Sequence, residues 1–181
     1  MYFTKIYFQQ QTELSVLKIT KISGNIFDDE LQKGFETLDK QGKCERLKIT
    51  RQELEKTRLR KNTDKGTDVG ISFNYNTKLN HGDVLISEDR FILVEQIPEK
   101  VISIKIKQNS NQTELLVLLG HIIGNRHRPI AIDKQTILFP IQADSELDLF
   151  KSLFSEITEH LEMKVEERVF VPRKGMGVHE H

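Results

Sequence analysis

The first half of the chain contains short runs of residues that either alternate apolar with polar or are rich in β-branched and other apolar side chains, which is the pattern of β-strands. The clearest runs are residues 18–22, 46–50, 70–73 and 91–94. Turn-forming residues separate them, for example at 23–25, 62–66 and 81–83. We therefore predict a small all-β domain over residues 1–98.

The pattern changes after Pro98. Residues 100–107 alternate as a strand, 113–123 are dense in leucine and isoleucine as a helix, and 129–132 and 136–141 are strand-like. A second helix is predicted from Ser145 and a last strand over 164–171. The apolar stripe of that helix consists of Leu149, Phe150, Leu153, Phe154, Ile157 and Leu161. The order βαββαβ is that of a ferredoxin-like domain. We predict an α+β fold, with this domain over 99–171 and a flexible tail over 172–181.

The ends of the predicted helices carry terminal signals. The segments 111–114 and 145–148 have the spacing of a capping box, in which a side chain and a backbone amide bond reciprocally. Gly124 and Asn125 tolerate the left-handed conformation in which many helices end. We therefore expect the first helix to stop at these two residues.

The first helix has more apolar surface than one sheet can cover. Leu115, Leu116, Val117, Leu118 and Leu119 follow one another without a polar residue, although a helix on a sheet needs only one apolar stripe. Either the neighbouring domain covers the second face or another subunit does. We favour the subunit interface, and the other explanation stays open.

Composition narrows the class of protein. Lysine plus arginine equals aspartate plus glutamate at 27 each, so no overall charge attracts nucleic acid or an acidic membrane. Cys44 is the only cysteine, which excludes an intramolecular disulfide and fits a reducing compartment. Neither a secretory signal nor an apolar run of about 20 residues is present. We expect a cytoplasmic protein that does not bind membranes.

Catalytic motifs are missing from the sequence. It contains no phosphate-binding loop, no nucleophile elbow and no helix with two zinc-binding histidines. We therefore do not expect an enzyme.

Six histidines are the candidate metal ligands. His81 in a turn and His160 near a helix end are assigned structural roles. His127 directly follows the predicted helix stop, and His179 and His181 lie two residues apart in the tail. Nitrogen donors of this kind suit nickel, zinc or copper. From the residues alone, a lone histidine at the position of His127 is more often a capping or exposed residue, and His179 and His181 could equally be solvated side chains of a tail.

A basic segment runs from 43 to 65, with nine basic and four acidic residues. The alternation of Lys56, Arg58 and Arg60 places these charges on one face of a strand. This face could dock an acidic protein partner. It could equally be an edge strand that its charges protect from aggregation.

Several motifs together resemble one family. Gly124-Asn125-Arg126-His127 follows an apolar helix, the segments 58–60, 66–71 and 79–85 lie upstream in order, and the tail carries His179 and His181. In this combination, which covers nearly the whole chain, the sequence resembles the urease accessory proteins of the UreE nickel metallochaperone family.

The resemblance implies a homodimer in which His127 of both subunits binds one nickel ion, with His179 and His181 completing the coordination. It further implies that the nickel passes to the urease accessory GTPase and the apo-urease activation complex. Nickel is selected by the resemblance alone, since zinc or copper could bind the same donors. His121 is not assigned as a ligand, because its spacing from His127 differs from that in family members.

Two other functions remain as alternatives. The first is an RNA-binding module, because βαββαβ domains often bind RNA on the sheet; strands 100–107 and 164–171 lack the paired aromatic residues that stack on bases. The second is a general protein-binding module without a metal, which would rest on the β domain.

Overall fold

The computed structural model describes residues 16–87, 90–107 and 111–173. The chain forms two compact units, Met1–Gln96 and Ile97–His181. Among the candidate ligands, His127 lies in the described part, and His179 and His181 lie outside it.

The first unit contains two sheets that enclose one core. Its elements are β1 (Leu17–Ile19), β2 (Gly24–Asn25), α1 (Asp29–Lys40), β3 (Cys44–Ile49), α2 (Arg51–Leu54), β4 (Arg58–Asn62), β5 (Asp68–Ser72), β6 (Asp83–Ser87) and β7 (Arg90–Gln96). The strand orders are β1-β5-β4 and β2-β6-β7-β3. Ile19 and Ile71 of the first sheet and Leu47, Leu85 and Ile92 of the second are buried in a common cluster, as in a β-sandwich.

The expectation of an all-β first domain was wrong in two elements, the long helix α1 and the short helix α2. Leu31, Phe35 and Leu38 are spaced by four and three residues, so they share one helical face, and all three are partly buried. A side chain at Gly24 in β2 would collide with Leu31, since a Cβ there would lie 2.1 Å from Leu31 Cδ1. The glycine therefore lets α1 lie against the second sheet.

The predicted strand 46–50 ends one residue early because Thr50 caps α2. The Glu53 amide donates to Thr50 Oγ1 at 3.3 Å, and the Thr50 amide donates to Glu53 Oε2 at 2.8 Å. This reciprocal pair is a capping box. The two capping boxes predicted from sequence do not form. Asn111 does not cap the helix that follows it with its side chain, and Ser145 is itself the first residue of the next helix, whose N-cap residue Asp144 makes no side-chain capping bond either.

The second unit contains one antiparallel sheet with two helices on one face. Its elements are β8 (Glu99–Ile106), α3 (Gln112–Asn125), β9 (Ala131–Asp133), β10 (Thr136–Pro140), α4 (Ser145–Leu153), a 3-10 turn (Thr158–His160) and β11 (Leu161–Arg168). The strand order is β11-β8-β10-β9. Ile102, Ile104 and Phe139 of the sheet pack with Leu119 of α3 and Phe150 of α4. In the described segments, no helix has the length and apolar character required to cross a membrane.

The apolar stripe predicted for α4 is too long. The helix ends at Leu153, and Leu161 instead opens β11, where it pairs with Ile106. Thr158 Oγ1 donates to the Phe154 carbonyl at 2.8 Å in the turn between them. Leu149, which the prediction placed in the stripe, is 42% exposed.

The last described residues cross the face of the sheet opposite the helices. β11 ends at Arg168, three residues before the predicted end at 171. Phe170 is buried with Val101 and Leu138, whose side chains alternate with those facing the helices. The Arg173 amide then donates to the Ile130 carbonyl at 3.0 Å. Phe170 thereby anchors the chain on the sheet before the tail begins.

Candidate metal-binding site

His127 stands directly beyond the end of α3 in a left-handed backbone conformation, with φ of +51°. Arg126 is the C-cap residue. The His127 amide donates to the Gly124 carbonyl at 2.9 Å, and the Arg128 amide donates to Ile123 at 3.4 Å. These two bonds form the Schellman motif, in which the left-handed position is usually glycine.

Helix α3 ends at Asn125, as predicted, but the residue in the left-handed conformation is His127 and not Gly124 or Asn125. Both of them are still helical. A non-glycine residue in this conformation costs roughly 1 kcal/mol or more, because its Cβ crowds the following carbonyl. Backbone strain of this kind tends to occur at functional sites. The His127 side chain is exposed, and no hydrogen bond to its imidazole is found among the described residues.

The next residue holds this loop against α4. The Arg128 guanidinium forms an ion pair with Glu146, and the two side chains are only 24% and 16% exposed. The other carboxylate oxygen of Glu146 accepts a hydrogen bond from the backbone N–H of Gln142 at 2.8 Å. Glu146 lies in the first turn of α4, where the helix dipole favours a carboxylate. Sequence patterns gave no signal for this pair, whose members are far apart along the chain.

The outer face of α3 remains apolar. Leu115, Leu119 and Ile123 are buried in the core of the unit, whereas Leu116 and Val117 are 49% and 67% exposed. Gly120 and Gly124 lie on the exposed side as well, and a Cβ at either would meet nothing within 4 Å. The helix backbone is thus accessible along this face, up to the end at which His127 stands.

The other described histidines have local partners. His121 Nε2 lies 3.0 Å from the Asn125 side-chain amide, which donates to it. His81 Nδ1 accepts a hydrogen bond from the backbone N–H of Gln96 at 3.2 Å. His160 lies 3.3 Å from the carboxylate of Glu159. Within residues 16–87, 90–107 and 111–173, no group of three or more histidine, cysteine, aspartate or glutamate side chains could hold a metal ion.

The start of the tail lies near the His127 loop. Arg173, the last described residue, is hydrogen-bonded to Ile130, which follows His127 by three positions. Three residues span at most about 10 Å. Arg173, the last described residue before the segment that carries His179 and His181, thus lies within a short distance of His127.

Comparison with known proteins identifies relatives of the chain. Residues 19–95 match the family model described as the N-terminal domain of the UreE urease accessory protein. The protein named urease accessory protein UreE from Lysinibacillus sphaericus is 32% identical over 164 residues, which are 90% of this chain and 99% of the relative. The protein of the same name from Natronomonas pharaonis is 32% identical over 129 residues, 70% of this chain and 60% of its own length. The Edwardsiella ictaluri protein is 28% identical over 144 residues, 73% and 61% of the two chains.

The last two alignments span about three fifths of the relatives' own length. These relatives are named as accessory proteins and not as enzymes, in agreement with the sequence expectation that the chain is not an enzyme.

Proposed function

The chain belongs to the UreE family of urease accessory proteins, and we propose that it is a homodimeric nickel metallochaperone that acts in urease maturation. Nickel is its cargo, held between two subunits and passed on to the urease activation complex. The observation that carries the proposal is the exposed His127, which occupies a strained backbone position at the end of α3.

A site shared between subunits follows from the small number of donors. The described part of one chain offers no cluster of three metal-binding side chains, and a single imidazole binds a divalent ion weakly. A two-fold axis that passes near His127 would supply a second imidazole with the same geometry. The shared site thus needs only one described histidine from each chain.

The outer face of α3 fits the subunit interface of such a dimer. Leu116 and Val117 provide apolar surface, and the bare backbone at Gly120 and Gly124 lets a second helix come close. We propose that residues 99–171 form a ferredoxin-like metal-binding and dimerisation domain. Its antiparallel strand order β11-β8-β10-β9 supports this assignment.

The tail can reach the proposed site. Arg173 is bonded to Ile130, and the six residues from Arg173 to His179 span up to about 20 Å when extended. This exceeds the about 10 Å that three residues cover between Ile130 and His127. His179 and His181 are therefore proposed as additional donors that join the ion after His127.

Nickel is the proposed ion because of the family, whereas imidazole donors also bind zinc and copper. The proposed recipients are the urease accessory GTPase and the apo-urease complex, with the first domain, residues 1–98, as the partner-binding part. We propose that the protein acts in the cytoplasm, where Cys44, the single cysteine of the sequence, would stay reduced.

The RNA-binding alternative loses support from the position of Phe170. RNA-binding βαββαβ modules stack bases on aromatic residues of the open sheet face. In this chain Phe170 is itself buried on that face against Val101 and Leu138. The surface that would bind bases is thus occupied by the chain.

Nickel titration of the purified chain, combined with measurement of subunit mass, tests the proposal. We expect one tightly bound ion per dimer and loss of that ion in the variant His127→Ala. The control variant His160→Ala changes a histidine whose side chain is 42% exposed and lies beside Glu159, and it should bind nickel normally. Equal nickel binding by wild type and His127→Ala would reject the assignment.

A further inference from the structure

The sheet β1-β5-β4 of the first unit carries a groove that the nickel site does not use. The groove has a volume of about 480 Å³ and runs over the face of the sheet turned away from the core. Its lining includes Val16 and Lys18 at one side, Arg58 and Arg60 at the other, and Gly70 and Ser72 of the central strand.

Gly70 forms the floor of this groove. In the strand register Lys18 of β1 lies beside Gly70, and Gly70 lies beside Arg60 of β4. A Cβ at Gly70 would lie 2.9 Å from Val16 Cγ1, so even an alanine would narrow the groove. Neighbouring strands are about 4.8 Å apart. The two basic walls therefore stand roughly 10 Å from each other across a floor without a side chain.

Most of the positive charge along the groove is uncompensated. Arg60 holds both oxygens of Asp68, with nitrogen to oxygen distances of 2.6 and 3.0 Å. Lys18 and Arg58 are exposed and form no ion pair with any residue of the described segments. The groove consequently offers two free cations and one oriented guanidinium.

We propose that this groove binds an extended acidic segment of a partner protein. Arg58 and Arg60 lie on the same face of β4 two residues apart, which separates them by about 7 Å. Carboxylates two residues apart on an extended peptide have the same repeat. The cations are spread along and across the groove instead of converging on one point, so they match an extended chain better than a compact anion.

The segments 1–15 and 174–181 of this chain do not have the negative charge that the groove would bind. Residues 1–15 contain one lysine and one glutamate, and residues 174–181 also contain one of each. Neither of these two segments offers the run of carboxylates that the groove requires, and we assign that run to another protein. This inference is independent of the nickel site, because all the residues that carry it belong to the first unit.

Fluorescence anisotropy on the full-length, nickel-free protein tests the proposal. The probe is a short labelled peptide in which glutamate and serine alternate, and a peptide of equal composition with contiguous glutamates is the comparison. We expect the alternating peptide to bind more tightly. The variant Lys18→Glu/Arg58→Glu should weaken its binding by about tenfold or more, since attraction becomes repulsion at two positions.

Two further variants separate the groove from general charge effects. Lys33→Glu/Lys40→Glu makes the same charge change on exposed residues of α1, against the other sheet, and should leave peptide binding unchanged. Gly70→Ala keeps the charge, fills the floor and should weaken binding. Thermal unfolding confirms that each variant is folded, and nickel uptake should stay normal in all of them.

The following results would overturn the proposal: no binding of the alternating peptide, equal binding of both peptides, or equal loss of binding in the two double variants. Displacement of the peptide by inorganic phosphate at lower concentration than by unlabelled peptide would identify a simple anion site instead.

Discussion

The guanidinium of Arg128 is paired with the carboxylate of Glu146, and this pair ties the residue after His127 to the first turn of α4. On the other side of His127, the Schellman bonds tie the backbone to the end of α3. The backbone of His127 is thus held from both directions while its imidazole stays exposed. Because the backbone is already ordered, binding of a metal ion by the His127 imidazole does not require the loss of backbone conformational entropy.

Replacement of His127 by glycine should separate stability from nickel binding. Glycine adopts the left-handed conformation without the steric cost, so His127→Gly should raise the free energy of unfolding by about 1 kcal/mol. His127→Ala keeps the Cβ and should bring no such gain. Both variants should lose nickel. Urea unfolding of nickel-free protein at one fixed concentration measures the difference, and equal stability of the two variants would argue against backbone strain at this position.

Loss of the ion pair beside His127 should weaken nickel binding indirectly. In Arg128→Met the largely buried Glu146 loses its cation, which should cost about 2 kcal/mol of stability. Nickel affinity, measured where the variant is fully folded, should fall while the ion count per dimer stays the same. Lys151→Met, which changes an exposed pair with Asp148 on α4, serves as the control. Unchanged nickel affinity in Arg128→Met would show that the pair supports only the fold.

Charges on the outer face of α3 should prevent dimer formation. Leu116→Glu/Val117→Glu places two carboxylates on exposed positions, so the isolated chain should fold normally, whereas burial against a second subunit would become unfavourable. Light scattering should find a monomer with one-chain mass. Leu149→Glu, at an exposed leucine of α4, should remain dimeric. A dimer of undiminished stability in the first variant would place the interface elsewhere.

The stability of the first unit should depend on the ionisation of Glu45. This residue is 4% exposed; its carboxylate accepts hydrogen bonds from Thr63 Oγ1 and from Arg90, both at 2.6 Å. Burial by itself raises the pKa of Glu45, but these hydrogen bonds and the charge of Arg90 outweigh it and hold the pKa below the ordinary value of 4.5. The ionised form therefore stabilises the fold above that pH, and the stabilisation is lost as the pH falls through the lowered pKa.

Glu45→Gln should consequently be less stable than wild type at neutral pH by about 1 to 3 kcal/mol. The difference should shrink below pH 4.5, since wild type then loses the same charge. Chemical unfolding at several pH values measures this, with exposed Glu36→Gln as the control. A constant difference at every pH would mean that the effect comes from packing and not from ionisation.

Sequence periodicity predicted the elements whose apolar residues dominate locally. The alternation around Leu47, the short apolar run around Leu93 and the longer apolar run of α3 correspond to observed elements. Helix α1 was not predicted because its 12 residues include only three large apolar ones, Leu31, Phe35 and Leu38. The four- and three-residue spacing of these apolar residues was the one feature of the sequence that indicated a helix.

The features that position the candidate site depend on contacts between distant parts of the chain. Arg128 meets Glu146 through the packing of α3 and α4, and Phe170 returns to Val101 of the first strand of its unit. Neither contact has a local pattern. Residue preferences also do not predict the left-handed conformation of His127, because two nearby residues, Gly124 and Asn125, adopt that conformation more readily.

Native mass spectrometry of mixed dimers tests the shared nickel site most directly. Wild-type chains and isotope-labelled His127→Ala chains are mixed, so that dimers with two, one and no His127 appear at distinct masses and compete for limiting nickel. We predict one ion on dimers with two copies, markedly weaker loading with one copy, and the weakest loading with none. Nickel uptake that is independent of the number of His127 side chains, or one ion on each separate chain, would contradict a site built from both subunits.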